Sequence, residues 1–354
     1  MPFTVPKTQK AQVYDKYNGA FEYREIPVPE PGPLDILVNV KFTGVCHTDL
    51  HVWEGDFADA VKVEFPLVGG HEGLGYVVAK GSQVTNFEIG DVAGIKWVNS
   101  SCLACEMCKR GFEPNCVDSK NSGLHVNGTF QQYALVRATE APKLPKDIDM
   151  PRAAPILCAG LTVYRALKEA NVFPGEFVAV TGAGGGLGSL AIQYGHAMGM
   201  RVIAIDVGAE RGEHCIALGA THYVDVSSKS PEEIIAEVQH ATDGGPHGVV
   251  HVAPASAPFL QAAKYVRPRG TIVIVSLPKD TPIGADTVDT VLRVITIKGS
   301  YVGNREDMDE AIGFFSRGEV SAPVKLRKLS ELGSIIDDMR NGKLIGRVVL
   351  DNDK

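Results

Sequence analysis

The chain has 354 residues, 44% of them apolar and 22% charged, with a formal net charge of −7. That length and composition support a large buried core divided over two domains and argue against disorder. The acidic balance lacks the basic face that polyanion binding needs, so nucleic acid is not an expected partner.

The first residues, Met1 to Lys7, lack the apolar core of a signal peptide and the arginine-rich pattern of a transit peptide. No window reaches transmembrane length, and the expectation is a cytoplasmic protein without a membrane partner. From about residue 10 to 140 short alternating runs such as Asp35 to Val40 and Leu74 to Val78, punctuated by Gly32, Gly69, Gly70, Gly81 and Gly90, predict an irregular antiparallel barrel. Near residue 155 the period changes, first to a helix over Leu161 to Ala170. Predicted strands follow at 177–180, 202–205, 223–226, 249–252, 272–275 and 294–297, separated by segments that suit crossover helices. Continuous apolar strands of this kind imply a doubly wound parallel sheet covered on both faces. The tail returns to mixed text, with helices near Asp307 to Phe315 and Leu332 to Met339 and a last strand at Arg347 to Leu350.

Cysteine usage divides in two. Cys102, Cys105, Cys108 and Cys116 fall within fifteen residues, and four thiolates from one loop close a tetrahedral sphere, as a structural zinc requires. Cys46, His71 and Cys158 are far apart in sequence; two thiolates and an imidazole would leave a fourth position open, as a catalytic zinc requires. Six of the seven cysteines are then ligands that must stay reduced, which fits the cytoplasm. Cys215 matches no ligand position and reads as an inert packed thiol, and His125, His196, His214, His222, His240, His247 and His251 receive no role.

After the strand ending at Val180 comes Gly182-Ala183-Gly184-Gly185-Gly186-Leu187-Gly188, then a helix with Leu187, Leu190, Ala191, Tyr194 and Met198 on its apolar face. Gly182, Gly185 and Gly188 form a Gly-x2-Gly-x2-Gly variant of the turn that brings backbone amides to a pyrophosphate at a helix N-terminus. The next strand ends in Asp206, eighteen residues past Gly188, where a carboxylate can accept from adenosine ribose hydroxyls and repel a 2′-phosphate, so NAD is favoured over NADP. The expected fold class is α/β, a Rossmann nucleotide domain (158–297) inserted in a β-rich, barrel-like domain (1–157 and 298–354) that carries both zinc sites.

Gly44-Val45-Cys46-His47-Thr48-Asp49-Leu50-His51 is dense in ligating and polar groups, and Gly70-His71-Glu72-Gly73-Leu74-Gly75 is followed by Gly81 and Val84. The second segment resembles the zinc alcohol dehydrogenase signature Gly-His-Glu-x2-Gly-x5-Gly-x2-Val, and the first resembles that family's other zinc-ligand loop. Over nearly its whole length the chain is similar to the NAD-dependent, zinc-containing medium-chain alcohol dehydrogenases of the yeast and fungal branch. The resemblance implies that Cys46, His71 and Cys158 hold a catalytic zinc that polarises the alcohol, with hydride passing to the nicotinamide. It implies that Thr48 takes the alcohol proton and passes it through the ribose 2′-hydroxyl to His51. Asp49 would fix the tautomer of His71, Glu72 would be an occasional extra ligand, and His47 and Arg347 would face the pyrophosphate. Arg211 occupies a place near the adenosine ribose, and a homotetramer is implied as well.

By the same resemblance Phe57, Trp97 and Leu277 wall the substrate pocket, and their bulk favours a short primary alcohol such as ethanol. Two other readings are open at this point. One is a zinc dehydrogenase for polyols or bulkier alcohols; the other makes 102–116 a zinc-ribbon interaction module on a non-catalytic scaffold. Metal content separates the last from the enzyme, because a module needs one zinc per chain and the enzyme two.

Overall fold

A computed structural model describes residues 4–59, 61–278, 284–344 and 346–354. Two compact units divide the chain: residues 1–158, 304–316 and 322–354 form one, and residues 159–303 and 317–321 the other. No helix among the described residues is long and apolar enough to cross a membrane.

The first unit opens with β1 (Thr8–Tyr14), β2 (Glu22–Pro27), β3 (Asp35–Gly44), α1 (His47–Glu54), β4 (Leu67–Val68), β5 (Gly73–Lys80), β6 (Val92–Ile95) and β7 (Val98–Ser100). It continues with α2 (Glu106–Lys109), β8 (Lys120–Asn121), β9 (Tyr133–Arg137), β10 (Lys143–Leu144) and α3 (Met150–Ala153). Ile36, Val38 and Val40 alternate along β3 and point to one face, where they meet Val77, Ala93, Ile95, Ala134 and Val136 in a fully enclosed cluster. Side chains of this size each contribute roughly 1.5–3 kcal/mol when removed from water. Two register shifts in the β3–β5 pairing, at Leu37/Val38 and Val40/Phe42, bend the ladder before it reaches Gly44.

The second unit contains α4 (Ala159–Glu169), β11 (Phe177–Thr181), α5 (Gly186–Ala197), β12 (Arg201–Asp206), α6 (Ala209–Ala217), β13 (His222–Asp225) and α7 (Pro231–Ala241). β14 (Gly248–His251), α8 (Ser256–Tyr265), β15 (Thr271–Ile274), α9 (Thr287–Arg293) and β16 (Thr296–Gly299) complete it. Its six strands pair in the order β13-β12-β11-β14-β15-β16, all parallel. Every residue of β11 and β14 is buried, as covering both faces demands. The doubly wound sheet expected from the sequence is therefore present. The last strand begins two residues later than expected, because Val294 sits in the left-handed region (φ 53°) and caps α9 instead of opening a strand.

The chain returns to the first unit through α10 (Arg305–Ser316), β17 (Val324–Lys328), α11 (Leu332–Arg340) and β18 (Arg347–Asp351). β18 pairs antiparallel with β3, Val349 opposite Gly44, in a sheet of order β10-β6-β5-β3-β18-β17 to which β9 adds by pairing with β3. The C-terminal strand thus lies beside the segment that carries Cys46.

Candidate metal centres and nucleotide turn

β3 ends at Gly44 and β5 begins at Gly73, and the antiparallel register Thr43↔Gly73 sets the residues after one strand beside those before the other. Cys46 and His71 meet for this reason. Asp49 accepts from the Cys46 amide with one oxygen (2.9 Å) and hydrogen-bonds His71 Nδ1 with the other (2.9 Å). His71 is then left with Nε2 as its only ligating atom, and that nitrogen is buried with no hydrogen-bond partner among the described residues. An orphaned buried polar atom costs about 1–3 kcal/mol, which a metal bond would remove. One ligand atom each from Cys46, His71, Glu72 and Cys158 lie within 4.8 Å of one another.

The electrostatics suit a cation. Contact with Cys158 and His71 holds the Cys46 thiol well below its usual range against the effect of burial, while Cys46 and burial push Cys158 well above its own. Burial raises Glu72 to about 7, with Arg347 pulling the other way through a 2.7 Å bond from Nη2 to Oε1. Gly44 has no room for a side chain, since a Cβ there would stand 1.8 Å from Glu72 Oε2. The resemblance turns Arg347 toward a pyrophosphate; in the structure its guanidinium engages Glu72, and its side chain is only 12% exposed.

The segment 44–51, expected as a loop, begins a helix. Cys46 is the N-cap of α1 and forms a capping box with Asp49, so the backbone turns helical at His47. Thr48, half-buried, and His51 stand one turn apart on that helix, and His47 is exposed. Gly55 ends α1 in the left-handed region (φ 86°), and the returning chain places Asp56 Oδ2 2.8 Å from His51 Nδ1. Asp56 escaped sequence reasoning, although the Gly55-Asp56 turn just past His51 carried the signal. Glu54 completes a third group of ligand-type side chains with His51 and Asp56, but its carboxylate faces Arg340 at 3.1 Å, and the group is satisfied from within the chain. The rings of Trp97 and His71 meet edge to face with centroids 5.0 Å apart, and those of Phe57 and His51 at 6.3 Å. Leu277 belongs to the second unit, just beyond β15, and is 63% exposed.

Cys102, Cys105, Cys108 and Cys116 also bring one sulfur each within 4.8 Å of the others. Here the sulfurs meet backbone. The amides of Ala104 and Cys105 donate to Cys102 Sγ (3.4 and 3.2 Å), which lowers that thiol to about 7, and the Cys102 amide points at Cys116 Sγ (3.5 Å). Three polar ties that the sequence did not disclose dock the loop. Ser101 donates to Glu140, whose other oxygen pairs with Lys96 at 2.8 Å in full burial; Arg305 pairs with Glu113 (2.7 Å); and Asn304 Nδ2 donates to Gly111 O (2.9 Å).

In the second unit β11 feeds the turn 182–185, and α5 starts at Gly186 with Gly185 as N-cap. Gly182 has φ 70°, and a Cβ on Gly188 would lie 2.3 Å from Gly182 O, so both positions exclude side chains. Gly185 and Gly186 are exposed and Leu187 is half-buried at the start of the helix. Asp206 closes β12 and accepts from the Gly184 amide (2.8 Å), the Val207 amide (2.8 Å) and Arg211 Nη1 (2.7 Å). Asp225, another residue the sequence did not single out, fixes the Gly208 amide at 2.9 Å. Cys215 is fully buried, and burial raises its thiol to about 11, in keeping with an inert role.

Two family models match the chain, Alcohol dehydrogenase GroES-like domain over residues 32–146 and Zinc-binding dehydrogenase over residues 186–317. Alcohol dehydrogenase 1 of Neurospora crassa is 52% identical over 354 residues, 99% of each chain. The chain belongs to the zinc-containing medium-chain alcohol dehydrogenases. Among solved structures, the alcohol dehydrogenase of the archaeon Aeropyrum pernix superimposes with a TM-score of 0.86 at 29% identity, covering 97% of this chain and 99% of that one. Acetophenone reductase from Geotrichum candidum, solved in complex with NAD, gives 0.84 at 27% identity, covering 99% of this chain and 100% of the other. The protein is an oxidoreductase that uses zinc and a nicotinamide cofactor.

Proposed function

We propose that this dehydrogenase interconverts a short, ethanol-like primary alcohol and its aldehyde with NAD, holding one zinc at Cys46, His71 and Cys158 and a second at Cys102, Cys105, Cys108 and Cys116. The observation that carries the reading is the buried His71 Nε2, without a hydrogen-bond partner among the described residues, gathered with the thiols of Cys46 and Cys158. When bound, zinc supplies Lewis acidity to an alcohol oxygen and the nicotinamide supplies a hydride acceptor. Thr48 takes the alcohol proton, and His51, one turn along α1, releases it to solvent while Asp56 orients the imidazole. Asp49 fixes the His71 tautomer. Glu72 is a reserve ligand, supported by an Oε2 without a partner among the described residues.

Gly182, Gly185, Gly186, Leu187 and Gly188 take the pyrophosphate at the N-terminus of α5. Asp206 takes the adenosine ribose hydroxyls. The ion pair between Asp206 and Arg211 supports NAD, since an arginine already neutralised by a carboxylate is poorly placed to receive a 2′-phosphate. Trp97 against His71 and Phe57 against His51 support a confined site, in which each methylene is worth about 1–3 kcal/mol of selectivity. Self-association, a homotetramer in this reading, is supported by α9, whose Val288, Val291 and Leu292 are more than 60% exposed beside the edge strand β16. Six thiols that must remain reduced support a cytoplasmic location.

Steady-state NADH formation with ethanol and NAD, beside NADP and beside a chelator-treated sample of measured zinc content, tests this reading. Turnover with NAD, little with NADP, and loss on chelation are expected. Silence with ethanol in protein holding two zincs per chain would move the substrate to larger alcohols.

A further inference from the structure

We propose that His251 is a positioning residue of the nucleotide site, tying the turn that follows β11 to the loop that follows β14. In the second unit the chain goes from β11 outward to β12 and β13, then returns to β14 on the other side of β11. Ligands of such sheets bind outside the carboxyl ends of the strands at that reversal. His251 is the last residue of β14, stands opposite Thr181, the last of β11, and is 2% exposed. Its Nδ1 lies 2.8 Å from Thr181 Oγ1, and the Phe259 ring closes one side edge to face.

An imidazole among Val249, Val250 and Phe259 costs desolvation that an apolar side chain would not. What it supplies is a hydrogen bond from a rigid ring at the end of β14 to the hydroxyl at the end of β11, where each strand gives way to its loop. Burial keeps it neutral, so the ring meets the Thr181 hydroxyl without carrying a charge into the apolar strand ends. The two loops are also in direct contact, because a Cβ on Gly182 would lie 3.0 Å from Ala253 Cα. With no slack there, displacement of 252–255 passes to Gly182 and to the amides that follow it. This inference rests on the reading that the cofactor lies at the 182–188 turn.

The test compares His251→Leu, His251→Gln and Asp206→Ala in the zinc-loaded enzyme. The readouts are the NADH dissociation constant by fluorescence, the KM for NAD, kcat at saturating NAD, and melting temperature. His251→Leu should weaken NADH and raise the KM about tenfold or more while kcat at saturation stays within about threefold, and His251→Gln should recover most of the loss. A folded His251→Leu enzyme with NADH affinity within twofold of the parent, alongside an Asp206→Ala enzyme that binds poorly, would overturn the role of His251 and leave the cofactor site standing. Unchanged affinity in Asp206→Ala would remove the cofactor from this turn and the inference with it. If His251→Leu fails to fold, Thr181→Val, which removes the same hydrogen bond from its other end, decides: a raised KM for NAD supports the role, and a lowered melting temperature with unchanged KM means packing alone.

Discussion

In the 102–116 loop the sulfurs come from fifteen consecutive residues and lean on backbone amides, whereas the Cys46 group draws ligands from segments as distant as residues 46 and 158 and aligns them with side chains. The loop holds a four-residue helix and a short 3-10 turn at 113–115, local structure made of its own backbone bonds. The Cys46 group is held by a sheet: β3, β5 and β18 fix Cys46, His71 and Arg347 through ladder register. In the proposed function similar donors would therefore serve opposite purposes, stability in one region and chemistry in the other.

That contrast can be broken by experiment. The largest effect belongs to Cys46→Ala, which should cut turnover about a thousandfold or more while the melting temperature moves little, since several kcal/mol of charge stabilisation leave without a sheet contact. A parent-like kcat would end the assignment. Cys102→Ala should do the reverse, lowering the melting temperature by about 10 °C or more while surviving folded enzyme keeps kcat within a few fold. Native stability with a lost chemical step would reverse the two roles. Glu140→Gln should sharpen the picture of how the loop is anchored: it leaves Lys96 buried without its counter-charge, and breaking such a pair costs roughly 3–5 kcal/mol, measurable by urea unfolding. Asp49→Asn keeps the shape but weakens the hold on His71, and metal competition should show zinc affinity down about 10–100-fold at that group alone. The smallest change is expected of Phe57→Trp, a few-fold shift of kcat/KM from longer alcohols toward ethanol, of the order of one methylene's selectivity.

The features legible in the sequence are those whose signal is local or periodic. Gly182 to Gly188 announced the strand-to-helix turn because its backbone leaves no room for side chains at Gly182 and Gly188, and the apolar runs at 177–180 and 249–252 announced buried parallel strands. The four-cysteine loop announced itself by spacing. Lys96 and Glu140 did not, because a buried ion pair is written with the letters of surface residues and only the fold brings positions 96 and 140 together. Asp56 differs, because its signal was local: the left-handed turn at Gly55 returns the chain to His51. His251 received no role because a single histidine in an apolar run has no spacing partner; its partner, Thr181, is seventy residues earlier and adjacent only through strand pairing. Val294 misled by being β-branched, a strand former by propensity that here ends a helix.

Asp49 has one further consequence, for exchange kinetics. One carboxylate grips the backbone of Cys46 and the ring of His71 together, so the fold itself sets these two residues relative to each other. In the proposed function an ion exchanging at that group would meet four ligand atoms already gathered within 4.8 Å of one another. In the 102–116 loop the ties to the sulfurs are backbone amides, so exchange there would be coupled to the turn itself.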